Sequence, residues 1–108
     1  MSGHVLTDCF VVASELAVPR GGEAGLEAAF KNRLGAVDDW PGFLRLEVWR
    51  DGRVAGRYQL VTWWDTPESY SAYMHSQVHR TSHARIPAGD LAPSAVSVRR
   101  FRVVTDAP

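Results

Sequence analysis

The sequence predicts one α+β domain in which two strand–helix–strand halves share a single sheet. Three observations predict it. The hydrophobic pattern passes from a period of two to a helical period and back, twice along the chain. Proline- and glycine-rich breakers separate the periodic stretches. The 108 residues are 45% hydrophobic and 22% charged, an ordinary globular balance, and a chain of this length buries roughly two-thirds of its unfolded surface.

The first strand is read from Phe10, Val12, Ser14, Leu16 and Val18 on one parity, with Val11, Ala13, Glu15 and Ala17 on the other. This alternation gives a strand with one buried face. Pro19-Arg20-Gly21-Gly22 then forms a turn. From Glu23 the stripe Leu26, Ala29, Phe30, Arg33, Leu34 and Val37 recurs at helical spacing, and Glu27 precedes Lys31 by one turn as a surface pair. The helix is expected to end by Asp38 and Asp39, before the breaker Pro41-Gly42.

Phe43 to Arg50 alternates again, with Leu44, Leu46 and Val48 opposite Arg45, Glu47 and Trp49. Asp51-Gly52 is a hairpin signal, and Ala55-Gly56 allows a loop longer than two residues. Tyr58, Leu60, Thr62 and Trp64 form one face of the return strand. Thr66-Pro67-Glu68 starts a helix with a hydroxyl cap, a proline in the first turn and an acid against the dipole. That helix either runs on to Ala84 or is interrupted by a second cap at Ser76. Pro87, Gly89 and Pro93 mark a loop, and residues 95–104 read as the last strand. The order β-α-β-β-α-β is the split arrangement of ferredoxin-like domains. With both helices on one face, the other face of the sheet needs a cover, and a second copy of the chain is the simplest one.

Composition excludes several function classes. Twelve Lys and Arg balance twelve Asp and Glu, so the basic excess of a nucleic-acid binder is lacking. Cys9 is the one cysteine, which rules out an internal disulfide and fits a reducing cytoplasm. Its apolar neighbours Phe10, Val11 and Val12 point to a buried thiol rather than a reactive one. No stretch has the roughly 18 apolar residues of a membrane span, and the N-terminal residues lack a signal-peptide pattern. The chain therefore reads as soluble and cytoplasmic, without nucleic-acid or membrane partners. Phosphate-cradling glycine motifs and a serine-hydrolase elbow are absent from the sequence.

A few residues remain as candidates for chemistry. His75, His79 and His83 recur at spacings of four. They share one face if the helix is unbroken, as metal or heme-iron ligands or as a solvated helix face. Ser14 shares the parity of the buried strand residues, so its hydroxyl either bonds to backbone or faces a ligand cavity. Trp63, Trp64, Tyr70 and Tyr73 gather at the strand-to-helix junction, as core or as the wall of a pocket for a flat ligand.

Several segments together carry a resemblance to a known family. They are Pro41-Gly42-Phe43, Tyr58-Gln59-Leu60-Val61-Thr62-Trp63-Trp64-Asp65 and Glu68-Ser69-Tyr70, followed by Tyr73, Ser76 and His83. Over about residues 10–104 the chain resembles the antibiotic-biosynthesis monooxygenase family. The resemblance implies a homodimeric α+β barrel of ferredoxin-like subunits and a small hydrophobic or aromatic partner molecule. Within the family the pattern is most similar to the heme-degrading branch. That branch places an Asn on the first strand, a Trp in the second helix and a His ten residues further on. His83 falls at the His position, as the implied ligand of heme iron. Tyr73 stands for the Trp and keeps an aromatic face, while Ser14 stands for the Asn and keeps a shorter polar tip. A second branch oxygenates polycyclic aromatic, polyketide-type substrates without a cofactor, and there Ser14, Trp64, Tyr73 and His83 would serve. A third possibility is a dimeric module that binds a hydrophobic ligand without catalysis.

Overall fold

The computed structural model describes residues 6–32, 36–84 and 86–107, the side chains of Ala36 and His83 excepted. The elements run β1 (Phe10–Ala17), α1 (Glu23–Lys31), a 3-10 turn (Ala36–Asp39), β2 (Phe43–Arg50), β3 (Arg57–Trp64), α2 (Pro67–Met74), α3 (Gln77–His83) and β4 (Ser94–Arg102). The strands form one sheet in the order β2-β3-β1-β4, with every neighbouring pair antiparallel. This is the ferredoxin-like α+β arrangement.

The helices pack on one face of the sheet, and the parity of β1 explains how. Phe10 and Val12 join Val37, Trp64 and Tyr73 in one buried cluster, against which Trp40, Phe43, Leu46, Tyr70 and Val78 pack. Further along the same face, Val18, Leu26 and Tyr58 are buried together beneath α1, with Leu16, Phe30, Val48 and Ile86 against them. The first strand differs from its expected single buried face. Cys9, Val11 and Val61 form a third cluster on the opposite side, flanked by Leu6, Ala13, Trp63 and Val103. Burial raises the Cys9 thiol pKa, with a further push from the Asp106 charge, so the thiol is held protonated.

Three local departures from the sequence pattern have physical causes. α1 ends at Lys31 with Asn32 as its C-cap, so Val37 reaches the core from the 3-10 turn rather than from a longer helix; Arg33 and Leu34 lie outside the described residues. Leu44 does not join Leu46 and Val48, because a bulge between Phe43 and Arg45 turns it outward and brings Phe43 into the core. Glu27 does not simply pair with Lys31 on the surface. Its carboxylate accepts from Arg50 on β2 and from the Tyr58 hydroxyl on β3, tying α1 to the sheet.

Ser76 settles the open question about the second helix. Its side chain accepts from the His79 N–H at 3.1 Å as the N-cap of α3, and its hydroxyl donates to the Tyr73 carbonyl at 2.6 Å. The helix is therefore broken between Met74 and Gln77. The Thr66 cap of α2 is as expected, accepting from the Ser69 N–H at 3.1 Å with Pro67 in the first turn. Among the described residues, no helix is long and apolar enough to cross a membrane.

Candidate active site

The site is built where the end of β3 meets α2 and α3. Trp64 is the last residue of β3, paired with Phe10 on one side and Phe43 on the other. Alternation turns its indole toward the helices, where it is 1% exposed, and its N–H donates to Thr62 Oγ1 at 2.8 Å. With that polar group satisfied, the ring is free to pack as an apolar plate. Phe43 and Tyr70 meet it edge-on at 5.4 and 5.6 Å, and the Tyr73 ring lies 5.4 Å away at a tilt of 35°.

Tyr73, in the last turn of α2, is 7% exposed. Trp40 and His79 meet its ring edge-on at 5.5 and 5.2 Å. Sequence reasoning missed Trp40, whose position before the Pro-Gly breaker carried no periodic signal. It did place Tyr70 correctly: that ring packs 5.8 Å from Phe10, and burial raises its phenol pKa while the Arg100 charge works in the other direction. Trp63 belongs elsewhere. It points to the opposite face of the sheet, edge-on to Trp49 at 6.5 Å with the Arg45 guanidinium 5.7 Å above its ring.

Ser14 sits in the middle of β1, between Leu60 of β3 and Val98 of β4. Its parity is that of Phe10 and Val12, so its side chain looks toward the helical side. The residue is half-buried, and among the described residues its hydroxyl makes no hydrogen bond. The backbone-bonded alternative is thus not what the fold provides. Beside it, β4 is left uncovered: Val98 is 47% exposed although it shares the inner face.

The histidines are divided by the Ser76 cap. His75 is the C-cap of α2 and its Nδ1 pairs with the Ser71 carbonyl at 2.8 Å. His79 is half-buried on α3 against Tyr73. His83 closes α3, and its side chain lies outside what the structure describes. The three therefore do not line one continuous helix, as a three-His ligand face requires. Among the described residues, no cluster of His, Cys, Asp and Glu could hold a metal ion. A single imidazole is a different matter, because it would suffice as the protein's own ligand to a prosthetic group that carries its metal with it.

The fold thus brings Ser14, Tyr73, Trp64 and the α3 backbone to one side of the sheet. The unbonded hydroxyl and the open strip of β4 are the accessible part of this surface, backed by two large rings that are nearly fully buried, and such a surface suits a flat and mostly apolar ligand. The cleft at the other end of the molecule has a different character. It encloses about 290 Å³ between Glu27, Phe30, Lys31, Val48, Arg50 and Tyr58, and the Glu27–Arg50 ion pair closes on itself there at 2.8 Å.

Comparison with known proteins gives the family and the fold. The family model described as antibiotic biosynthesis monooxygenase matches residues 9–85. A curated heme oxygenase (mycobilin-producing) of Mycobacterium tuberculosis is 33% identical over 96 residues, covering 89% of this chain and 90% of that protein. The solved structure of the heme-degrader MhuD from Mycobacterium tuberculosis, with two hemes bound in its active site, is similar at a TM-score of 0.76. Its identity to this chain is 32%, over 92% of this chain and 99% of MhuD. SnoaB, a cofactor-independent oxygenase from Streptomyces nogalater, gives a TM-score of 0.75 at 16% identity over 94% and 99% of the two chains. At that identity the likeness to SnoaB is one of fold alone.

Proposed function

Because the chain belongs to the antibiotic biosynthesis monooxygenase family, we propose that it is a monooxygenase that binds heme through His83 and degrades it with O2. The observation that carries this reading is the Ser14 hydroxyl, half-buried on the inner face of β1 and unbonded among the described residues. A half-buried hydroxyl with no protein partner is still open to solvent, and a ligand between β1 and α3 would take it as a hydrogen-bond partner. The heme-degrading relatives at 32–33% identity support the choice of ligand.

Heme, when bound, supplies both the iron that reacts with O2 and the macrocycle that is oxidised. The chain supplies position and protection. His83, on α3, would hold the iron as a neutral imidazole donor. Ser14, on β1, would offer its hydroxyl to the bound group, to donate a hydrogen bond or to hand on a proton. Tyr73 gives an aromatic wall that excludes water, and Trp64 holds that ring in place from below. Ser14 and Tyr73 stand where the heme-degrading branch carries Asn and Trp. The shorter polar tip and smaller ring leave more room over the sheet.

These two departures favour a second reading, oxygenation of a polycyclic aromatic without a cofactor. There His83 would take a phenol proton near neutral pH. In either reading, the chain is proposed to work in the cytoplasm as a homodimer, with a second copy covering the sheet face that carries Trp49, Trp63 and Phe101.

The test is turnover. Protein loaded with hemin and given a reductant in air is expected to lose the heme absorption band as an open-chain tetrapyrrole appears. Persistence of the band would leave a heme carrier. Oxygen uptake with a reduced polycyclic phenol and no metal, without hemin loss, would support the second reading instead.

A further inference from the structure

Strand β4 carries the run Arg99-Arg100-Phe101-Arg102, and its register separates these cations. Ser14 pairs with Val98, Val12 with Arg100 and Phe10 with Arg102. Val98, Arg100 and Arg102 therefore share the inner face with Phe10, Val12 and Ser14. Arg99 pairs with Ala13 on the opposite face, and its guanidinium lies 5.3 Å over the Phe101 ring. Arg102 is tied back to the Asp8 carbonyl at 3.3 Å. Arg100 is different. It is exposed and makes no ion pair or hydrogen bond among the described residues. Its charge is nevertheless felt at the Tyr70 phenol on α2.

Among the described residues, three arginines have found carboxylates within the chain: Arg45 with Glu47, Arg50 with Glu27 and Arg57 with Glu15. Arg100 stands at the edge of the proposed site with its fork of donors unused. Two residues along the strand place it about 7 Å from Val98, the residue beside Ser14. A planar guanidinium matches a carboxylate in a bidentate manner, which an ammonium does not.

We propose that Arg100 binds a peripheral carboxylate of the flat ligand, a propionate of heme, and so fixes which edge of the ring faces β4. The inference rests on the heme reading above. It gives Arg100 a part in orientation and affinity and none in the oxidation itself.

The test is a titration of the protein with hemin and with hemin dimethyl ester, followed by visible absorption and tryptophan quenching, at low and high salt. Wild type, Arg100→Gln and Arg53→Gln are compared, the last removing one positive charge from the exposed β2–β3 loop. Arg100→Gln is expected to weaken hemin binding roughly fivefold at low salt and to leave the ester unaffected. Arg53→Gln should change neither, and Arg100→Lys should recover part of the loss. High salt should shrink the difference between wild type and Arg100→Gln. Equal hemin affinity in wild type and Arg100→Gln overturns the assignment and leaves the heme reading in place. A loss that is the same for hemin and for its ester also overturns it, since the carboxylate would then not be what Arg100 meets. No hemin binding by wild type overturns the heme reading and this inference with it.

Discussion

The Tyr58 hydroxyl donates to Glu27 Oε2 at 2.5 Å, joining the middle of α1 to the strand beneath it. Arg50 closes on the same carboxylate, with Nε at 2.9 Å from one oxygen and Nη2 at 2.8 Å from the other. The Arg50 and Tyr58 donors hold the Glu27 carboxyl at a pKa of about 2, below its ordinary 4.5. A depressed folded-state pKa contributes stability that is complete above the unfolded value and is lost as pH falls. The urea midpoint of the wild type is therefore expected to drop between about pH 4.5 and about pH 2. Glu27→Gln should flatten that part of the profile. An unchanged slope in the variant would show that other carboxylates dominate it.

Gly42 has φ of 86°, and a Cβ there would run into the Ser69 and Asp65 side chains. Its carbonyl also accepts from the Asp65 N–H at 2.8 Å, which fixes the end of β3 against the start of β2. Gly42→Ala combines left-handed strain with a clash, and a loss of about 1–3 kcal/mol is expected from urea unfolding. A change below the error of the fit would mean that the junction relaxes freely.

Ser76→Ala removes the N-cap of α3 and the bond to the Tyr73 carbonyl. A loss of about 1 kcal/mol in stability is expected, measured by thermal or urea unfolding. Because α3 carries His83, hemin binding should weaken as well. Ser76→Thr, which keeps both the capping oxygen and the hydroxyl donor, should restore most of both.

The outer face of the sheet carries Trp49 and Phe101, 47% and 44% exposed. If a second copy covers them, Phe101→Glu should shift the protein toward monomer in size-exclusion chromatography with light scattering, since an uncompensated charge would be buried. A monomeric wild type would contradict the proposed homodimer directly.

Much of this architecture was legible from alternation and breakers alone. The parity of Tyr58, Leu60, Thr62 and Trp64 gave the inner face of β3, and Thr66-Pro67 gave the start of α2, because both signals are local. Features created by tertiary contact were harder to read. Leu44 leaves the core because of a bulge between Phe43 and Arg45. Arg100 could be placed only from the pairing of β4 with β1. A register shift between Glu15 and Leu16 breaks the parity that would otherwise carry along β4. The Glu27 contact with β2 and β3 likewise joins residues far apart in the chain. Of the candidate site, Ser14 was legible by parity, whereas the division of the histidines depended on which of two local hydrogen-bond patterns Ser76 adopts.

The central claim is that His83 ligates heme iron on this fold. Visible-absorption titration of the purified protein with hemin, run beside His83→Ala, tests it most directly. A saturable shift of the heme band is expected in the wild type and its loss in His83→Ala, with His79→Ala retaining the shift. A wild type that gives no shift, or a shift that persists in His83→Ala, would rule out His83 as the heme ligand.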